Sequence, residues 1–164
     1  MNYDNFIHTL QDHILKLRSA LFYDISESVL RLPPTVVNTL DVDEAGQIWF
    51  VMPRPTQELS EFGTSFPVQL NYFRKQSTSS VQIGGKGFLI YDPEDLYNWA
   101  LLHPELPSIG KDSILIKVKI LKAEVQEWGE EDPSPLSKAL NRILAWLHML
   151  DDKRTTFSAP ATSH

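Results

Sequence analysis

Residues 67–92 read PVQLNYFRKQSTSSVQIGGKGFLIYD, and the spacing of apolar residues in this stretch decides the fold class. Val68, Leu70 and Tyr72 alternate with Gln69, Asn71 and Phe73, and Val81 and Ile83 repeat the pattern around Gln82. A period of two marks half-buried strands, and the polar segment between the two runs makes them a hairpin. Gly84, Gly85 and Gly87 then remove side chains from the second strand. Glycine inside a strand signals a bulge, a barrel corner, or close approach of another backbone or a ligand. The stretch therefore predicts a small β-barrel. Gly84-Gly85-Lys86-Gly87 has a superficial likeness to a phosphate loop, but such a loop joins a strand to a helix and carries Ser or Thr after its Lys. Here the glycines lie inside an apolar strand, so the barrel corner is the better reading.

Outward from this hairpin, the chain alternates short strands with turn signals. Phe6, Leu10, Ile14 and Leu17 recur at helical spacing and predict an amphipathic helix over 4–18. A strand over 20–25 and an extended stretch over 29–42 follow, the latter interrupted by Pro33-Pro34, which cannot donate ladder bonds. Asp43-Glu44-Ala45-Gly46 is a hairpin turn. QIWFVM at 47–52 is apolar on both faces, with Ile48, Phe50 and Met52 on one and Trp49 and Val51 on the other. One face fills a barrel; the other must lie under a helix or a second subunit. A short helix is expected over 56–62, with Thr56 near its N-cap. Asp92 caps another helix, with Pro93 at its first position, Asp95 completing a box-like pattern, and Leu96, Trp99 and Ala100 as its apolar face. Residues 113–128 form a long strand whose apolar phase flips from Ile114, Ile116, Val118 and Ile120 to Leu121, Ala123 and Val125, which places a bulge near Ile120. Ser134 caps a last helix with a stripe of Leu136, Leu140, Ile143, Leu144 and Leu147, and residues 153–164 read as a disordered tail. One domain over 1–152 accounts for all of these elements.

Composition narrows the function. The chain has 164 residues, 42% of them hydrophobic and 22% charged, as in an ordinary globular domain. A net charge of −6 gains nothing from counterion release, so nucleic acid is not an expected partner. The absence of cysteine excludes disulfides, thiolate nucleophiles and Cys-based zinc sites. No run of about 18 apolar residues is present to span a membrane. The N-terminus MNYDNFIHTLQDH is unlike a secretory signal, so a cytoplasmic location is expected.

Few side chains group into a chemical motif. The five histidines, His8, His13, His103, His148 and His164, contain no metal-ligand pair at helical spacing and read as solvated or capping residues. Asp92, Glu94 and Asp95 complement a helix macrodipole, and Glu130, Glu131 and Asp132 read as a solvated loop. The residues that remain are Arg31, Thr35, Arg54, Thr56, Gln57 and Ser60, which flank the 47–52 strand and open the short helix after it. Two guanidinium groups, hydroxyls and a helix N-terminus suit an anion such as a phosphate.

The order of these elements resembles the pyridoxamine 5′-phosphate oxidase-like FMN-binding split barrels, in particular their general stress protein branch. The resemblance covers roughly residues 15–128 and rests on DEAGQIWFVM (43–52), PVQLNYF (67–73) and VQIGGKGFLIYDPE (81–94), the last similar to a V-x-V-x-G-x-A stretch followed by an acidic helix start. Order and spacing carry it, since no one motif is diagnostic. It implies a mainly β, six-stranded antiparallel split barrel with flanking helices, a homodimer, FMN in clefts between subunits, and a flavin-dependent oxidoreductase as the candidate activity. It also implies that Arg31 and Thr56 hold the FMN phosphate, while the basic pair that the family places after the third strand falls on Gln57 and Glu58. Glu58 repels phosphate, and Arg54 is the nearest compensating charge. Two readings follow: a flavin-binding dimer, or a non-enzymatic dimer that has lost FMN and binds another ligand or a protein. An oligonucleotide-binding barrel is the weaker third, against the acidic balance.

Overall fold

The computed structural model describes residues 3–127. They form helix α1 (Tyr3–Leu17), strands β1 (Ser19–Asp24), β2 (Thr35–Val42), β3 (Gln47–Pro53), β4 (Phe66–Tyr72) and β5 (Ser79–Ile90), helix α2 (Pro93–Leu102) and strand β6 (Ser113–Glu127). The strands close into an antiparallel barrel in the order β1-β2-β3-β6-β5-β4. The helix expected from Ser134 and the tail over 153–164 lie outside the described residues.

Alternation decides what fills the barrel. Phe22, Ile48, Phe50, Met52, Leu70, Ile83, Ile116 and Val118 point inward and are almost wholly buried. Burial of each such side chain contributes about 1.5–3 kcal/mol. The rings of Phe22 and Phe50 meet edge to face at 5.6 Å. One polar pair sits in this interior: the Tyr72 and Thr39 hydroxyls lie 2.6 Å apart. Burial pushes the Tyr72 phenol far up, against the opposing effect of the Thr39 bond, so it stays neutral.

Helix α1 closes one end of the barrel. It buries Phe6, Ile7, Leu10, Ile14 and Leu17. Arg18 then adopts a left-handed φ of 66°, its amide donates to Ile14 O at 2.7 Å, and the chain turns directly into β1. Gly46, in the β2–β3 turn with φ of 75°, lies against Tyr3 and Ile7, where a side chain would crowd the helix.

Two bulges set the phase of the sheet. In β6, Gly84 pairs with Lys122 and Gly85 with Ile120, so Leu121 is the extra residue and is 38% exposed. The flip expected near Ile120 is present, with Leu121 as the bulge itself and Ala123 and Val125 as the inward residues. In β2, Thr39 pairs with Phe50 and Asp41 with Trp49, which leaves Leu40 over. That second bulge turns Val42 inward and Asp41 outward beside Trp49.

Four local expectations are corrected. The extended stretch over 29–42 begins as strand only at Thr35, because Pro33 and Pro34 offer no N–H and residues 25–34 are gathered by Asp24. The Asp24 carboxylate accepts from the Ser26 and Leu32 amides, each at 3.0 Å. The helix over 56–62 is a single 3₁₀ turn, Leu59–Glu61, preceded by Glu58 with no side-chain cap, so Thr56 is not a cap. Buried Leu59 and Phe62 anchor this turn in place of a helical hydrogen-bond ladder. Asp92 caps α2 by accepting from the Glu94 amide at 2.9 Å, with no part taken by Asp95. Ala100 faces solvent; Trp99 is the buried residue of α2.

The glycines of β5 differ in what they admit. A Cβ at Gly85 would strike the Lys119 carbonyl and approach Val118 Cγ1 to 2.8 Å, whereas at Gly84 it meets only the flexible Lys122 side chain. Gly85→Ala is therefore expected to destabilise the protein by about 1–3 kcal/mol, and Gly84→Ala by much less. Urea unfolding of both variants checks this, and equal midpoints would contradict the close approach of β5 to β6.

Candidate functional site

The six residues that the sequence selects fall at the barrel end opposite α1. β2 and β3 run antiparallel from the Asp43–Gly46 turn, so Thr35 at the start of β2 and Arg54 just after β3 share that end. Arg31 lies in the segment leading into β2, and Thr56, Gln57 and Ser60 follow β3 around the 3₁₀ turn. Apart from half-buried Thr35 they are exposed. Their side-chain hydrogen bonds are local, Thr35 Oγ1 donating to Pro33 O at 3.0 Å and Thr56 Oγ1 reaching Gln57 Oε1 at 3.5 Å, while the Arg54 amide donates to Asp112 O, far along the chain, at 2.8 Å. Among the described residues, no hydrogen bond joins the 31–35 group to the 54–60 group. The helix N-terminus expected to face an anion is replaced by one 3₁₀ turn, and Glu58 and Glu61 offset Arg31 and Arg54. Within one chain these residues show neither the converging donors nor the net positive charge that hold a phosphate.

A different site is built on the outer wall. Trp49 faces outward because Ile48 and Phe50 point in, and α2 lies over it. The Trp99 ring sits 6.1 Å from that of Trp49 and stacks on the His103 imidazole at 4.4 Å. Between α2 and the strands runs a groove of about 590 Å³, within the size range of small-molecule sites. Trp49, Trp99, Ile90 and Leu102 form its apolar walls, and Asp41, Asp43, Asp95, Asn98, Lys117 and His103 bring polar groups to it. A second cavity, lined by Ile25 and residues of β4, β5 and β6, holds only about 160 Å³.

Asp41, Asp43, Lys117 and His103 each have a definite setting in the groove. The Asp43 carboxylate accepts from the Ala45 and Gln47 amides at 3.0 and 2.9 Å and from Trp49 Nε1 at 3.2 Å, which fixes both the turn and the indole. Lys117 Nζ lies 4.8 Å from the Phe88 ring centre and 5.8 Å from that of Trp49, a cation held over aromatic faces. His103 Nε2 contacts Asp41 Oδ2 at 2.9 Å and Nδ1 contacts Trp99 O at 3.0 Å. Partial burial works against its charge, but the Trp99 carbonyl bond and the Asp41 and Glu105 carboxylates prevail and raise its pKa above the ordinary value. Trp99 is 5% exposed, and its Nε1 has no partner among the described residues. A buried N–H left unpaired costs about 1–3 kcal/mol. No group of three or more potential metal ligands is present among the described residues.

None of the groove's polar residues was among the six chosen from sequence. The signal for Asp41 is the step from Val37 and Thr39 to Val42, a break of the two-residue period within β2. His103 fits the expected capping role, and what the sequence hides is its reach to Asp41, 62 residues away.

No protein-family model and no curated protein matches the chain by sequence. Solved structures do match in shape. A protein related to general stress protein 26 of B. subtilis (pyridoxinephosphate oxidase family), from Clostridium acetobutylicum, aligns with a TM-score of 0.54 at 9% identity, over 77% of this chain and 91% of that one. The general stress FMN/FAD binding protein from the phytopathogen Xanthomonas citri aligns with a TM-score of 0.52 at 14% identity, over 75% of this chain and 89% of that one. At such identities a likeness speaks for the fold, while function must be argued from the site. With its six-stranded antiparallel barrel and two packed helices, the chain thus has the split-barrel fold of the general stress and pyridoxine phosphate oxidase-related proteins.

Proposed function

We propose that this chain is a homodimeric split-barrel binding protein that takes a planar aromatic ligand, without a phosphate, in the groove under α2. The observation that carries this reading is the Trp49–Trp99 wall, whose buried Trp99 Nε1 lacks a partner among the described residues. Stacking on such rings contributes about 0.5–1.5 kcal/mol beyond area burial. Asp41, Asp43 and Asp95 outnumber Lys117 and His103, so acidic groups prevail in the groove. Two like unit charges 4 Å apart repel by about 4 kcal/mol at an effective dielectric of 20, so a phosphate dianion is disfavoured there. The homodimer is supported by apolar side chains left on the surface of one chain: Val36 is 67% exposed, and Leu101 and Leu102 are 61% and 77% exposed.

A second reading is FMN at the barrel end. It is favoured by the likeness to the FMN/FAD binding protein from Xanthomonas citri and by Arg31 and Arg54 sharing that end. Its weakness is Glu58, where the family resemblance implies a basic residue.

Flavins serve as the probe for both readings. Riboflavin carries the ring system without the phosphate, and its fluorescence reports binding. The groove reading expects riboflavin to bind at least as tightly as FMN. It also expects Trp49→Leu to weaken riboflavin about tenfold, a loss of about 1.4 kcal/mol, and Arg31→Ala to change neither ligand. FMN binding that is ten- to a hundredfold tighter than riboflavin, weakened by Arg31→Ala and strengthened by Glu58→Lys, would establish the second reading. Binding of neither removes the flavin ring as the ligand.

The dimer is tested by light scattering at micromolar concentration. Twice the chain mass is expected, and the mass of a single chain would refute it. An obligate interface buries upward of roughly 2,000 Å² and persists at that dilution.

A further inference from the structure

We infer that His103 and Asp41 form a protonation-controlled clasp: as an imidazolium, His103 ties the C-terminal end of α2 to β2, and loss of its proton frees that end and loosens one wall of the groove. The inference concerns how α2 is held and stands apart from the identity of any ligand.

Hydrogen-bond accounting comes first. Nδ1 lies 3.0 Å from the Trp99 carbonyl oxygen and Nε2 lies 2.9 Å from Asp41 Oδ2, and both partners are acceptors. A neutral imidazole has one N–H, so either tautomer would set a lone pair against an oxygen. Only the doubly protonated ring satisfies both contacts. With Asp41 charged, the pair is a charge-assisted hydrogen bond on one side and a carbonyl cap on the other.

Among the described residues, no other basic side chain caps this end of α2. Its last turn contains no basic residue, and His103 occupies the C-cap, with its backbone N–H also bonded to Trp99 O and Ala100 O. A positive charge there complements the negative end of the helix macrodipole. The charged groups around the ring come from every neighbouring element. Asp41 on β2 and Glu105 beyond α2 favour the cation. Asp43 is committed to two turn amides and the Trp49 indole. Asp95 on α2 adds negative charge to the groove, and Lys117 on β6 is the opposing cation, held over Phe88 and Trp49.

Within one chain, and among the described residues, α2 has few other holds on the barrel. Trp99 is the one residue of the helix that is buried, and Tyr97, Leu101 and Leu102 face solvent. Trp99 and His103 are therefore the points where the helix grips the barrel, and their stacked rings couple the two.

The sign of the pH dependence follows from the raised pKa of His103. Its contribution is present in full below the unfolded value of about 6.5, and it is lost as pH rises through the higher folded value. Amide hydrogen-exchange protection of α2, corrected for intrinsic rates, tests this from about pH 6 to about pH 9, a span that brackets histidine titration. In the full chain, protection of α2 should fall about tenfold, the scale of one charge-assisted hydrogen bond, while β3 and β6 keep theirs. His103→Gln should show the low protection throughout with no step, and Asp41→Asn should move the step to lower pH. An unchanged α2 across that range, or the same step in His103→Gln, overturns the inference. If either variant fails to fold, NMR titration of the His103 ring protons in the unmodified protein decides: a midpoint above about 6.5 supports the clasp, and a midpoint at or below it refutes it.

Discussion

The structure depends on where Trp49 must go. The period of two in β3 sends Ile48, Phe50 and Met52 into the barrel, and with them inside, the indole of Trp49 has only the outer face. A large ring on the outside of a sheet needs cover. Helix α2 supplies it with Trp99, and the Asp43 carboxylate fixes the ring through its N–H. The groove, the stack of Trp99 on His103 and the reach of His103 to Asp41 all follow from that placement. The bulge at Leu40 completes it, because without the extra residue Asp41 would point into the barrel.

Two regions of this fold offer themselves to a ligand, and they differ in kind. At the barrel end the candidate groups are exposed, bonded locally, and balanced in charge by Glu58 and Glu61. Under α2 the groups converge on one cavity, and Asp41, Asp43, Lys117 and His103 are already held by hydrogen bonds or cation–π contacts. Preorganisation is what converts contacts into affinity, because the ordering cost is met before the ligand arrives. On that basis the groove is the stronger site, although the fold's relatives include a protein described as FMN/FAD binding.

Much of the barrel was legible in the residues themselves. The alternation at 67–73 and 81–83, the phase flip in the last strand and the capped helix after Tyr91 are local signals, and each matches an observed strand, bulge or helix. The close approach at Gly85 was readable as one of the meanings of glycine in a strand. The misses have a common cause. Thr56 looked like a cap because caps are inferred from residue type, but Pro53 and Pro55 on one side and the buried anchors Leu59 and Phe62 on the other leave room for one 3₁₀ turn. The barrel-end residues share charge and proximity along the chain, whereas the groove is assembled from β2, β3, α2 and β6. His103 and Asp41 meet across 62 residues, and a one-residue bulge decides that they do. Long-range pairs of this sort leave only a faint mark, here the step from Thr39 to Val42.

On the reading proposed above, a ligand enters the groove under α2 and not the barrel end. Two-dimensional amide NMR of the protein titrated with riboflavin tests it most directly, because every backbone position reports separately. The account predicts shifts concentrated at Asp41, Trp49, Asn98, Trp99 and Lys117, with the Trp99 indole N–H among the most displaced, and little change at Arg31, Arg54 and Thr56. Shifts concentrated at Arg31, Arg54 and Thr56, with the Trp99 indole unmoved, would contradict it.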